Sequence, residues 1–244
     1  MNEIHCRVET TLPVAVVRLE GVLGLDSAST VRTALLKRLA EHPDALIVDL
    51  SRLTVADESA LSVFVAVARQ AAIWPGIAMA LCGVPERFAA IASRLVPVCD
   101  DPGQARDVLR RVPVPLQRDR RLLPVTGSAR RARDLATEAC LDWGLSDLVI
   151  PSCVVAGELV ANAVQHAGTP MTLSFRRLPR YLHIAVRDGS DRPALRCETH
   201  PLALGGRGLM IVDATSRCWG CSPATGGKVV WATLDVGDPW HGDR

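Results

Sequence analysis

Between residues 100 and 124, DDPGQARDVLRRVPVPLQRDRRLLP, the chain loses the hydrophobic period that it keeps on either side. The stretch begins with the pattern of a short helix and then turns Pro- and Arg-rich, which reads as a helix followed by a linker centred near residue 115. Such a break divides the chain into residues 1–112, a linker at 113–121, and residues 122–244. Length agrees with two units: 244 residues is long for one compact domain, and a hydrophobic content of 48% is ample for two cores. With only 3 Phe and 1 Tyr, those cores are expected to be built mainly of Leu, Val, Ile and Ala.

Strand and helix patterns alternate in the first unit. VAVVRLEGV reads as a strand, and Asp26 or Ser29 can cap a helix whose apolar stripe is Val31, Leu35 and Leu39. ALIVDL is a short β-rich run expected to be buried on both faces. In SRLTVADESALSVFVAVARQAA, Asp57 is a cap candidate, and Leu61, Phe64, Val65 and Ala68 form the next helical stripe. A strand at IAMALCGV and helices at PERFAAIASRL and DPGQARDVL complete an α/β unit, a sheet covered by helices. The second unit opens with a helix in SARRARDLATEACLDWG, followed by one containing ELVANAVQHA. Strands at MTLSFRRL and YLHIAVRDG, a GGRG loop leading into a helix at LMIVDAT, and a strand through KVVWATL follow. This order predicts two helices on one face of a mixed sheet, an α/β sandwich.

Composition narrows the function classes. A formal charge of +2 carries no basic excess, and the clustered Arg residues lack interleaved aromatics, so nucleic acid is not an expected partner. MNEIHCRVET has no charged-then-apolar leader, and the apolar run LSVFVAVARQAAI is broken by Arg69 and too short to span a bilayer. No membrane partner and a cytoplasmic location are expected. The 8 Cys are scattered, mostly in apolar segments, as small buried hydrophobes would be. Cys197 and His200 together with Cys218 and Cys221 have the composition of a zinc site, but Cys218 and Cys221 flank Trp219 and Gly220 in what reads as a strand entry. Structural thiols are the favoured reading.

In ELVANAVQHA, residues 158–167, Glu158, Asn162 and His166 recur at four-residue intervals within an apolar run. At about 3.6 residues per turn this puts all three on one helix face. A solvated stripe usually carries Lys, Arg and several Glu; this one holds Glu, Asn, Gln and His. Downstream, Asp188 ends a strand, and Gly205, Gly206 and Gly208 form a loop before a helix starting near Leu209. Backbone N–H groups in such a loop can approach a phosphate closely.

ELVANAVQHA, VRDGSDRP, GGRGLMIVDA and GGKVVW, taken in order, resemble the N, G1, G2 and G3 boxes of the GHKL (Bergerat) ATPase fold, in its bacterial anti-sigma-factor serine kinase branch, over about residues 120 to 236. The resemblance implies ATP and Mg²⁺ as cofactors. It implies that Glu158 is the general base, that Asn162 holds Mg²⁺, and that Asp188 accepts from the adenine amino group. It also implies that Gly205, Gly206, Arg207, Gly208 and Leu209 wrap the phosphates and that Gly227 belongs to the last box. Ser190 stands where the G1 box often has Gly, and Val229 where many relatives have a Thr that makes a hydroxyl contact near the base. His166 reads as structural.

Residues 5 to 112 resemble the STAS domain of anti-sigma-factor antagonists, in GVLGLDSAS and in IVDLSRLTVADESAL. Aligning Asp57, Glu58, Ser59, Ala60 and Leu61 with the Asp-Ser-Ser-Gly-Leu motif puts Ser59 on the phosphoacceptor. Together the two resemblances imply a partner-switching regulator. Its partners would be a sigma factor or another regulatory protein and a STAS-domain protein in cis or in trans, with room for a homodimer. The alternative is a nucleotide-dependent scaffold without phosphotransfer.

Overall fold

The computed structural model describes residues 4–11, 14–192 and 208–237. It divides into two compact units, Met1–Val114 and Pro115–Arg244.

Unit one runs β1 (His5–Thr11), β2 (Val14–Leu23), α1 (Leu25–Leu39), β3 (Ala45–Val55), a 3-10 turn (Glu58–Leu61), α2 (Ser62–Ile73), β4 (Ala78–Cys82), α3 (Glu86–Ala92), β5 (Val98–Cys99) and α4 (Pro102–Leu109). The strand order is β1-β2-β3-β4-β5, antiparallel for the first pair and parallel for the rest. Parallel neighbours require crossovers, which α1, α2 and α3 supply. The first six residues of β3 are all buried. Leu46, Val48 and Leu50 pack with Val31 and Leu35 of α1 and Phe64 of α2, while Ala45 and Ile47 pack with Ala105 and Leu109 of α4. This is the two-sided burial expected of ALIVDL. The cap of α1 differs from expectation: Asp26 and Ser29 lie inside the helix, and the N–H of Gly24 donates to Ser27 Oγ at 3.0 Å. A hydroxyl at the third helical position reaches back to the cap backbone, so the cap residue needs no side chain.

Unit two runs β6 (Leu116–Leu122), α5 (Ser128–Asp142), a 3-10 turn (Ser146–Leu148), α6 (Val149–His166), β7 (Met171–Arg177), β8 (Tyr181–Asp188), α7 (Gly208–Thr215), β9 (Cys218–Ala224) and β10 (Gly227–Asp235). Its strand order is β6-β7-β8-β10-β9, antiparallel throughout, which corrects the expected mixed sheet. The links from β7 to β8 and from β9 to β10 are too short for a parallel crossover. The expected linker at 113–121 is corrected as well, because β6 pairs with β7 from Leu116↔Arg177 to Leu122↔Met171. LQRDRRL conceals this because an edge strand leaves most of its side chains in solvent, and none of the seven is buried.

One face of this sheet carries the core. Leu173, Phe175, Ile184, Val186, Val230 and Ala232 meet Leu135 and Ala139 of α5 and Val155, Leu159 and Val160 of α6. The span Ser146–His166 is the one helical stretch among the described residues long and apolar enough to cross a membrane by length and composition. Its apolar content is accounted for by this packing: Val155, Ala156, Leu159, Val160 and Ala163 are core residues.

Candidate functional site

Burial of one side of α6 leaves the stripe on the other. Glu158 and Asn162 are half-buried, and His166, at the helix end, is exposed. Gly208, the first residue of α7, sits against the first two: a Cβ there would lie 2.7 Å from Glu158 Oε2 and 3.2 Å from Asn162 Oδ1. A side chain at 208 would fill that space and press on the ends of both side chains. The Glu158 carboxylate makes no hydrogen bond or ion pair among the described residues. Asn162 Nδ2 is buried with no partner among the described residues. An unsatisfied buried amide costs about 1–3 kcal/mol, so the Asn162 N–H fits an acceptor on a polar ligand beside Gly208. Leu209 is partly buried against the core, while Gly205, Gly206 and Arg207 lie outside the described residues.

The other end of α6 approaches Asp188. The N–H of Gly189 donates to Thr169 Oγ1 at 2.9 Å, tying the end of β8 to the turn after the helix. From Glu158 to His166 the helix rises about 12 Å, at about 1.5 Å per residue. The site is thus an elongated strip, with Glu158, Asn162 and Gly208 at one end and Asp188 at the other. Asp188 is 4% exposed. Its Oδ1 accepts from the Ser190 N–H at 2.9 Å and from Lys228 Nζ at 2.9 Å. Gly227 turns tightly over it, since a Cβ at that position would lie 1.9 Å from the Asp188 carbonyl oxygen.

Lys228 is the site residue that sequence reasoning missed. It is 7% exposed and stands directly opposite Asp188 in the β8–β10 register. Lysine is a poor fit to a buried strand unless paired, and GGKVVW carried that signal. Val229 pairs with Arg187, so it projects to the opposite sheet face from Lys228 and Asp188.

Ser59 lies in the exposed first turn of the 3-10 segment of unit one. Asp57 caps that turn, its Oδ1 accepting from the Ser59 N–H at 2.9 Å and from Ser59 Oγ at 2.6 Å. These two bonds, the hydroxyl first, hold the Asp57 carboxyl below its usual pKa. Glu58 forms an exposed ion pair with Arg87 at 3.0 Å, and Ala60 is buried.

No group of three or more His, Cys, Asp or Glu able to hold a metal occurs among the described residues. Cys197 and His200 lie outside them. Cys218 and Cys221 are three apart on β9, so their side chains leave opposite faces of the strand and cannot close on one ion.

Comparison with known proteins matches residues 6–95 to the Mlab, STAS domain and residues 125–234 to the histidine kinase-like ATPase domain. Among solved structures, an anti-sigma factor antagonist from Mycobacterium paratuberculosis is 22% identical, covering 44% of this chain and 94% of its own, with a TM-score of 0.38. RsbS from Moorella thermoacetica is 20% identical, covering 43% and 95%, with a TM-score of 0.37. The anti-sigma factor antagonist SpoIIAA in its unphosphorylated form is 18% identical, covering 44% and 100%, with a TM-score of 0.38. No curated protein matches the chain. The α/β unit with a helix-covered parallel core and the two-layer antiparallel unit are those two matched domains in order: the chain is a STAS domain joined to a histidine kinase-like ATPase domain.

Proposed function

We propose that the protein is an ATP-dependent protein serine kinase of the anti-sigma type, joined to an antagonist-like STAS domain, in a partner-switching pathway that controls a sigma factor or similar regulator. The observation that carries this reading is the Glu158 carboxylate beside the Asn162 amide, both against Gly208 and neither Glu158 nor Asn162 Nδ2 with a partner among the described residues. Bound ATP supplies the phosphoryl group, and bound Mg²⁺ neutralises triphosphate charge. Asn162 holds the metal, the backbone from Gly205 to Leu209 holds the phosphates, and Asp188 holds the adenine. Glu158 would take the proton from the attacking serine hydroxyl as that oxygen bonds to the γ-phosphorus and the bond from that phosphorus to the β–γ bridging oxygen breaks, with ADP as the leaving group. Ser59 is the proposed acceptor in cis or in trans, on its place in the exposed first turn of the 3-10 segment.

A second reading, a nucleotide-dependent scaffold without phosphotransfer, draws on Glu58 and Ala60 beside Ser59, where the antagonist motif has Ser and Gly. Incubating the purified protein with Mg-ATP, followed by intact-mass and peptide mass spectrometry, separates the two. One phosphate localised to Ser59 supports the kinase; unchanged mass, also with an added STAS-domain protein, leaves the scaffold.

A further inference from the structure

We propose that Lys228 is a specificity-determining residue for the base, donating a hydrogen bond to adenine N1 beside the amino group that Asp188 accepts. The inference rests on the reading of this site as an ATP site and adds to it a residue of the GGKVVW segment.

Lys228 Nζ contacts Asp188 Oδ1 at 2.9 Å and the Ser190 carbonyl oxygen at 3.4 Å. An ammonium has three donors, so one N–H of a 7%-exposed Lys228 is left without an acceptor among the described residues. On Asp188, both contacts fall on Oδ1, which leaves Oδ2 as an open acceptor. Side by side, the site presents one acceptor and one charged donor. Adenine presents the complement on adjacent atoms: the N6 amino group donates and N1 accepts.

The pair also rejects the other purine edge. With position 6 of the ring held at Asp188, hypoxanthine or guanine would set a carbonyl oxygen against the carboxylate and an N1–H against the ammonium. Both contacts are then mismatched, and a buried polar site left unpaired discriminates strongly. A carboxylate alone would supply only the first mismatch.

The test is competition binding on the full chain with Mg²⁺, using ATP, 1-deaza-ATP, in which N1 is a C–H, and inosine triphosphate. Wild-type protein is expected to bind 1-deaza-ATP roughly ten- to a hundredfold more weakly than ATP, the scale of one hydrogen bond from a charged donor. Lys228→Met should bind ATP and 1-deaza-ATP alike and should reject inosine triphosphate less strongly than wild type. Equal wild-type affinity for ATP and 1-deaza-ATP would overturn the inference while leaving the ATP site intact. Retained discrimination in Lys228→Met would overturn it as well, by assigning N1 to another donor. If Lys228→Met does not fold, Lys228→Gln is put to the same comparison in its place, and equal wild-type affinity for the two nucleotides overturns the inference without either variant. Absence of any ATP binding would instead remove the reading on which the inference stands, and the inference with it.

Discussion

Asn162 and Asp188 contact different ends of the proposed nucleotide, and their removal has different structural consequences. Asn162→Ala deletes an amide that already lacks a partner, so Mg-dependent ATP binding should be lost with the circular dichroism spectrum unchanged. Asp188→Ala strands the buried Lys228 ammonium. Breaking such a pair from one side costs about 3–5 kcal/mol, so this variant should lose ATP binding and also unfold at lower denaturant. Equal calorimetric affinity in wild type and both variants would remove the assignment. Glu158→Gln keeps the size and hydrogen bonding of the side chain but not its basicity. It should bind ATP normally while phosphotransfer to serine falls roughly a hundredfold or more. A single-turnover assay with labelled ATP measures this, and an unchanged rate would exclude Glu158 as the base.

Elements present these residues through local geometry, and the cap at the 3-10 turn is the clearest case. Asp57 accepts two bonds from Ser59, and its folded pKa is depressed. A depressed carboxyl adds stability above the unfolded pKa, and that contribution is lost as pH falls through the folded pKa. The Ser59 amide resonance should therefore titrate with a midpoint below the ordinary Asp range. Ser59→Ala, which removes the hydroxyl bond, should move the Asp57 midpoint upward; an NMR pH series that gives one midpoint for both proteins would refute the cap. The turn was legible because Asp57 precedes a helical pattern. The Gly24–Ser27 cap of α1 was not, because two neighbouring polar residues, Asp26 and Ser29, had equal claims by sequence.

At the scale of the whole molecule, the unit boundary lies at Val114 and Pro115, and β6 belongs to the second sheet. A fragment of residues 115–244 should therefore melt higher than one of residues 122–244, which strips β7 of its partner and opens an edge. A difference of several degrees is expected, since each kcal/mol shifts Tm by about 4 °C, between the values for smaller and larger domains. Equal melting by calorimetry would show β6 to be dispensable. The sequence by itself determined the alternation of helix and strand, the two-sided burial of β3, and the helical face bearing Glu158 and Asn162, because each is written in the spacing of residues close along the chain. Tertiary structure alone decided the antiparallel sheet, the place of β6, and the approach of Gly208 to Glu158. It alone set Lys228 rather than Val229 against Asp188, two residues forty positions apart. A shift of one residue in strand register exchanges the faces of every side chain, and register is fixed by pairing across the sheet, not by the local pattern.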